Sequence, residues 1–344
     1  MSIIKNRLFW PSLILAVMLV INMFTSNQFV TIQNGHLFGT LIDILRGSAP
    51  LILVALGMTL VIATGGIDLS VGSVMAISGA VACLLISDLG DQNAVGSVLL
   101  IIGVAIAASL VLGLWNGALV AFVGIQPIIA TLILMVAGRG VAQLITDGQI
   151  INVQSSPYAT LATGFFLAVP VAFLIAAAAV ALTLLLTRRT ALGLLLESVG
   201  GSPTASRLAG ISARRITIMV YVVAGGFAGL AGLIYSANIK SADSISAGNL
   251  IELDAILAVV IGGTALIGGR FSIAGTVLGA VLIQTLSVTV VAIGIPPEAN
   301  LLFKAVVVVA LCLSQSPDFR AKVFGRFQSR PAVEKPAVEK VVTP

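Results

Sequence analysis

Apolar residues in this chain run in long unbroken stretches, and the polar interruptions between them mark where elements end. A helix needs roughly 20 apolar residues to cross hydrocarbon. On that measure the pattern predicts ten membrane helices, over 9–25, 49–64, 70–86, 95–124, 128–146, 166–187, 216–237, 251–267, 271–294 and 300–316. The expected fold class is therefore all-α: a polytopic membrane protein of about ten transmembrane helices with broken segments. Long runs in place of alternating ten-residue strands argue against a membrane barrel. The fourth run is long enough to tilt or bend, with Gly113, Asn116 and Gly117 at the expected bend, and Pro127 opens the fifth. Gly225 with Gly229, and Gly275 with Gly279, are G-x-x-x-G pairs that let helix backbones approach, either inside the chain or between subunits.

Three interruptions stand out. TGGIDLSVGS (Thr64–Ser73) and IGGTALIGG (Ile261–Gly269) are glycine-rich breaks in apolar surroundings. Unwound backbone survives at membrane depth only where it is buried in protein or lines a watery path. The third, Arg188–Arg215, is polar and holds five arginines. Within it Ser202 reads as an N-cap with Pro203 at the first helical position, and Gly210 sits where a C-terminal cap would end two turns. This short helix, Pro203–Ala209, is either a plain connector or a docking surface. Past Pro317 the chain turns polar and PAVEK occurs twice, at 331–335 and 336–340. The domain reading is a membrane domain over 1–316, including the loop 188–215, and a polar, disordered tail over 317–344.

Composition adds direction to this pattern. Mean hydropathy is +1.15 and charged residues make up 9%, against about 25% in soluble domains. Fourteen of the 18 Lys and Arg fall at 5–7, 188–215, 270 and 320–340. If the spans are even in number and both termini are cytoplasmic, all of these lie on the cytoplasmic side. Arg46, Arg139, Lys240 and Lys304 are the exceptions. The same bias accounts for the net charge of +5, so no nucleic-acid partner is expected and lipid is the surrounding medium. Lys5 and Arg7 before Leu8–Phe24 imitate a signal peptide without a cleavage site behind it, and an uncleaved first span is expected. Cys83 and Cys312 lie within apolar runs and read as small buried side chains.

Candidate chemistry is sparse. No G-x-x-x-x-G-K-[ST] loop occurs, so the chain has no ATP site of its own; it is not expected to be an enzyme or to bind a cofactor. The single histidine, His36, stands without companion ligands, and no metal site is expected. A charge inside a membrane span is a functional hypothesis by default, because burial costs at least ~2.5–3.5 kcal/mol. Asp68, in the first break, suits either of two roles: accepting backbone N–H groups, with Ser70 and Gly72 as candidates, or contacting substrate. Arg139 is expected to pair with Glu252 or Asp254 in the outer half of a pathway. Asn116, Gln126, Thr131 and Gln143 are neutral hydrogen-bonding groups that suit a polyol better than an ion, and equally suit helix-to-helix bonding.

TGGIDLSVGS, IQPIIATLILMVAGRG (Ile125–Gly140) and ELDAILAVVIGGTALIGGRFSIAGTVLGA (Glu252–Ala280), read together, resemble the permease subunits of ribose-type sugar ABC importers. The likeness runs in order from about residue 40 to 315 and is strongest to the galactofuranose branch, around Ile125–Thr146. It implies about ten helices, a second permease subunit (identical or paralogous), a cytoplasmic ABC ATPase that uses the ATP, and a periplasmic sugar-binding protein. It also implies that Ser202, Pro203, Thr204, Ala205, Ser206, Arg207 and Ala209 form the coupling helix that docks on the ATPase. Ser202 departs from the common asparagine there, and Pro203 and Ser206 are atypical. The location implied is the bacterial inner membrane. Two other readings stand beside a monosaccharide importer: an ABC permease for branched-chain amino acids or nucleosides, and an ion-coupled secondary transporter, for which Asp68 is the only mid-membrane carboxylate in the breaks.

Overall fold

The computed structural model describes residues 8–26, 28–33, 35–166, 168–296, 299, 302–307 and 309. The expected tail with its PAVEK repeats, most of the last predicted span, Cys312 and the basic residues at 5–7 and 320–340 lie outside the described residues. In chain order the elements are α1 (Phe9–Thr25), β1 (Thr31–Gln33), β2 (His36–Phe38), α2 (Thr40–Ala63), α3 (Val71–Ser87) and α4 (Val95–Ala118). A π-helical turn over Leu119–Val123 leads to α5 (Pro127–Ile145), β3 (Ile151–Asn152), α6 (Ser156–Thr163), β4 (Phe165–Phe166), β5 (Val169–Pro170) and α7 (Val171–Arg189). The rest are α8 (Leu192–Gly201), α9 (Pro203–Leu208), α10 (Ala213–Ile239), β6 (Ser241–Ala242), α11 (Ile251–Ile261) and α12 (Ile273–Ala292). Six of the described helices are long and apolar enough to cross a membrane: α2, α4 with its π turn, α5, α7, α10 and α12. The chain is a multi-pass, mostly helical membrane protein.

The helix α2 is the centre of the bundle. It is apolar on every face, and every residue from Leu51 to Ala63 is buried, as expected for a helix surrounded by others. Around it pack α7, α10, α11 and α12. The contacts are made by small residues. A Cβ on Gly57 would lie 2.8 Å from the Ala224 Cα, and one on Gly232 would lie 2.2 Å from the Met75 carbonyl oxygen. Both G-x-x-x-G pairs serve packing inside the chain: Gly225 and Gly229 meet Ser109 of α4, while Gly275 and Gly279 meet Gly262 and Ala258.

Several expectations are corrected. The second span begins at Thr40, not at 49, and carries Asp43, Arg46 and Pro50 inside α2; two charges and a proline look like a flank, but the first turns of the helix rise beyond the bundle's apolar centre. The fourth span does not bend at Gly113 or Gly117. Those glycines stay helical and receive the α10 backbone at Tyr221 and Ile218, and the helix widens later, in the π turn that ends at Gly124 with φ 80°. The run 166–187 starts as a helix only at Val171, because Phe165–Phe166 pairs antiparallel with Val169–Pro170. The eighth span stops at Ile261, where the glycine break begins. The helices α6 and α8 were not expected. Nor were the three two-stranded ladders, β1–β2, β3–β6 and β4–β5, which qualify the all-α reading. They gather at the end of the bundle away from the arginine-rich loop, where His36 stacks on Phe165 at 4.9 Å.

Filling a backbone contact tests this packing. Gly232→Leu should destabilise the purified protein by about 1–3 kcal/mol through overpacking, seen as a lower midpoint of thermal unfolding in detergent. Gly96→Ala, which meets nothing within 4 Å, should leave the midpoint in place.

Candidate functional site

The first break has an internal polar frame. Asp68 is 2% exposed and accepts from the Ser70 N–H at 2.9 Å and the Ser70 hydroxyl at 2.6 Å, both on Oδ1. The same hydroxyl oxygen accepts from the Asn116 amide at 2.8 Å. Thr131 donates to carbonyls, to that of Pro127 at 2.9 Å and that of Ile67 at 3.3 Å. Ser73 donates to the Ser70 carbonyl at 2.8 Å and the Leu134 carbonyl at 3.1 Å. A break at membrane depth thus has loose backbone groups met by Asp68 and by side chains from α3 and α5, while Asn116 of α4 braces the Ser70 hydroxyl. Of the two donors expected on Asp68, Ser70 supplies both bonds. Two buried oxygens remain without partners, Asn116 Oδ1 and the Tyr221 hydroxyl, and the latter would lie 2.7 Å from a Cβ on Gly66.

Gly72 has another role. A Cβ there would lie 2.4 Å from the Gly248 carbonyl oxygen, 2.6 Å from Glu252 Oε2 and 3.3 Å from Arg139 Nη2. Arg139 and Glu252 therefore converge on one glycine. Arg139 nevertheless spends its donors on backbone, on the carbonyls of Ser244 and Ile245 at 3.4 Å each and on that of Ala247. It makes no ion pair with Glu252 or Asp254; the two ion pairs among the described residues are Arg46–Asp43 and Lys304–Asp254. Glu252 is 3% exposed and its Oε2 has no partner. The expected Arg139–Asp254 pairing is corrected, since Asp254 binds Lys304 at 2.7 Å. Residues 252 and 254 are two apart on a helix and point to different sides, so matched depth alone does not select the partner. The neutral set is also divided. Asn116 and Thr131 are buried at the break, whereas Gln126 and Gln143 are exposed near opposite ends of α5.

The turn that receives Arg139 is shaped by Asp243, which accepts from the Ile245 and Ser246 N–H groups at 3.0 Å each. Hydrogen bonding from Ser246 holds its carboxyl below the ordinary value.

At the arginine-rich end, Ser202 caps α9 by accepting from the Ala205 N–H at 3.2 Å; Pro203 stands at the first helical position and Gly210 takes φ 81°. Thr204, Ala205, Arg207 and Ala209 are exposed together with Leu208, and Ser206 alone is buried. The preceding helix, α8, was missed by the sequence reading, although the apolar run Leu192–Leu196 inside a polar loop was its signal. Its Gly200 makes the tightest approach of any glycine among the described residues: a Cβ would lie 1.8 Å from the Ala63 carbonyl oxygen and 2.5 Å from the Gly269 nitrogen. Gly269 donates to the same Ala63 carbonyl at 3.0 Å, and Gly268 abuts Gly65 and the Gly200 carbonyl. The loop and both glycine breaks thus share one junction. Beside it, a cavity of about 190 Å³ is lined by Gly65, Tyr221, Pro203, Arg207 and Arg214, connecting α9 to the first break.

Comparison with known proteins places these features. Residues 40–312 match the family described as branched-chain amino acid transport system / permease component. The chain is 45% identical to the galactofuranose transporter permease protein YtfT of Escherichia coli, covering 93% of this chain and 94% of that one. It is 42% identical to the fructose import permease protein FruF of Bifidobacterium longum, over 92% and 89%. With the ribose import permease protein RbsC of Escherichia coli the identity is 37%, over 87% and 90%. No solved structure matches.

Ser70→Ala should cost about 1–3 kcal/mol, because it removes one donor from Asp68 and the acceptor of Asn116 in a buried site; thermal unfolding of the purified protein reads this loss. The Asp243 turn should respond to pH with a definite sign. A carboxyl depressed on folding stabilises the turn above its unfolded value, and that contribution disappears as pH falls through the folded value. Asp243→Asn should therefore speed amide hydrogen exchange at 245 and 246 at neutral pH, and unchanged exchange would show that the carboxylate does not hold the turn.

Proposed function

The chain belongs to the branched-chain amino acid transport system permease family, and on that premise we propose that it is the membrane subunit of an ATP-driven monosaccharide importer. The family description names amino acids, but the relatives that match over most of this chain are permeases for galactofuranose, fructose and ribose, and this favours a sugar. Galactofuranose is the first sugar to test. In this reading ten spans place both termini in the cytoplasm, the protein resides in a bacterial inner membrane, and residues 317–344 are a tail outside the permease. A partner ATPase supplies ATP hydrolysis, a periplasmic binding protein delivers the sugar, and a second permease, identical or paralogous, completes the pathway.

The observation that carries the mechanism is the junction of α8 with both breaks. Exposed α9 offers Thr204, Ala205, Arg207 and Ala209 to the ATPase. A displacement of α9 moves α8, and Gly200 has no slack against Ala63 and Gly269, so the push reaches the first and second breaks together. Asp68, Ser70, Asn116 and Thr131 form the polar side of the pathway at the first break, with Asn116 Oδ1 and the Tyr221 hydroxyl free to meet sugar hydroxyls. Arg139 and Glu252 lie farther toward the ladder end. Gln126 and Gln143 line the approaches on α5, and Asp254 is tied to Lys304. A neutral hydrogen bond contributes only about 0.5–1.5 kcal/mol net, so a few such contacts let a sugar pass without trapping it. High affinity is then left to the binding protein, and alternating access follows from the two arrangements of the breaks.

Reconstitution with the partner subunits should give sugar uptake that requires ATP, resists ionophores and is not competed by L-leucine; competition by leucine would favour the amino-acid reading. Ala205→Trp with Ala209→Trp, and separately Gly200→Ala, should lower uptake at least about tenfold, equivalent to roughly 1.4 kcal/mol, while ATP hydrolysis continues. Full uptake in the α9 variant would reduce that helix to a connector.

A further inference from the structure

At the ladder end of the bundle, apart from the breaks, lies a cavity of about 500 Å³ whose lining is unusually polar for so apolar a chain. Asp43, Arg46, Asn238, Asn249, Asp254 and Gln284 face it, contributed by the first turns of α2, the end of α10, the loop before α11, α11 itself and α12. Small-molecule sites typically measure about 300–1,000 Å³. A second cavity of about 540 Å³ shares Asp43 and Gln284, so those two residues stand where the spaces meet.

We propose that this cavity is a monosaccharide site within the single permease chain, a vestibule in which the sugar rests before it reaches the breaks. The proposal rests on the sugar-importer reading and adds a place and a residue set to it. Three observations carry it. First, the charges balance: of the lining carboxylates, Asp254 is neutralised by Lys304, which lies outside the lining and donates to it at 2.7 Å, and Asp43 has Arg46 at 3.9 Å. A neutral polyhydroxyl ligand fits such a lining, whereas an anion or a cation meets as much repulsion as attraction. Second, the Arg46 Nε–H is buried and has no partner. The Asp43 contact, 3.9 Å from Nη2, lies beyond hydrogen-bond length, so the guanidinium beside the cavity keeps an unspent N–H for an acceptor such as a ring or hydroxyl oxygen. Third, Gln284 packs over Gly47. Its amide nitrogen lies 2.5 Å from where a Cβ on Gly47 would stand, so the glycine makes room for an amide that can both donate and accept. Tyr235 supplies an aromatic wall, and the exposed amides of Asn238 and Asn249 flank the opening. Amides, a guanidinium and carboxylates arranged around one ring suit the alternating donors and acceptors of a sugar.

The test uses the full chain in its reconstituted transporter. Asn249→Cys places a thiol on the lining, and its alkylation by a water-soluble maleimide is followed with D-galactose, D-fructose, D-ribose or L-leucine present, above the background of the chain without the substitution. At least one sugar should slow labelling, and leucine should not. Adding Gln284→Ala should raise the sugar concentration needed for protection about fivefold, the worth of one lost neutral hydrogen bond, and adding Arg46→Gln, which removes a charged donor, at least about tenfold. The labelling rate without sugar reports whether each variant still folds with the thiol accessible, and Arg46→Lys should restore part of the protection. Sugar uptake by the same vesicles with no protection by any sugar would overturn the vestibule and leave the importer reading standing. Protection that survives both substitutions would overturn the assignment of Arg46 and Gln284. Leucine protection without sugar uptake would overturn both readings together.

Discussion

The Ala63 carbonyl ends α2, receives the Gly269 N–H, and has Gly200 of α8 pressed against it. This contact of three backbones sets what the rest of the molecule can do. In hydrocarbon a free carbonyl costs several kcal/mol, so a helix that stops inside the bundle needs a donor from elsewhere in the protein. The second glycine break supplies that donor, and α8 comes close enough to seal the junction only because residues 200 and 268 carry no side chain. A constraint built from backbone has no rotamers to absorb a push, and interfaces of this kind shift between arrangements instead of deforming smoothly. Coupling between the arginine-rich loop and the membrane breaks is thus a property of close packing more than of any charged contact.

The polar groups follow the same economy. Those at the breaks and the neighbouring turn hold unwound backbone: Asp68 through Ser70, Thr131 through the Ile67 carbonyl, Arg139 through the turn at 244–247. Of the four buried side-chain oxygens without partners among the described residues, those of Asn116, Tyr221 and Glu252 lie beside the first break or against Gly72, and the fourth is Asn22 Oδ1 on α1. A pathway with so few free groups grips a passing solute weakly. That agrees with a subunit that receives its cargo already selected, and it sets the charge-balanced cavity at the ladder end apart as a place built for a different task.

Much of the architecture was legible in the amino-acid sequence. The breaks at Thr64–Ser73 and Ile261–Gly269, the capped helix after Ser202 and the packing use of both G-x-x-x-G pairs are local or compositional properties, and composition already required membrane burial. The site was less legible. Asp68 with Ser70 is two residues apart and could be read; Asn116 joining them, 46 residues away, could be named as polar but not placed. Arg139 was assigned a carboxylate because opposite charges at equal depth attract. The chain gave it three carbonyls instead, and gave Asp254 to Lys304.

Sequence by itself determined most of the long helices, the breaks and the basic loop, because hydrophobic run length, glycine and capping act over a few residues and need no partner. Only the tertiary structure decided which groups meet. Gly200, within a polar loop in the sequence, lies on Ala63 and Gly269 in the bundle, and Asp43, Arg46 and Gln284, far apart in the chain, meet around one cavity. Contacts between distant segments depend on helix rotation and depth to within an ångström or two. Those quantities are fixed by close packing of small residues across many helices at once, and no local pattern encodes them.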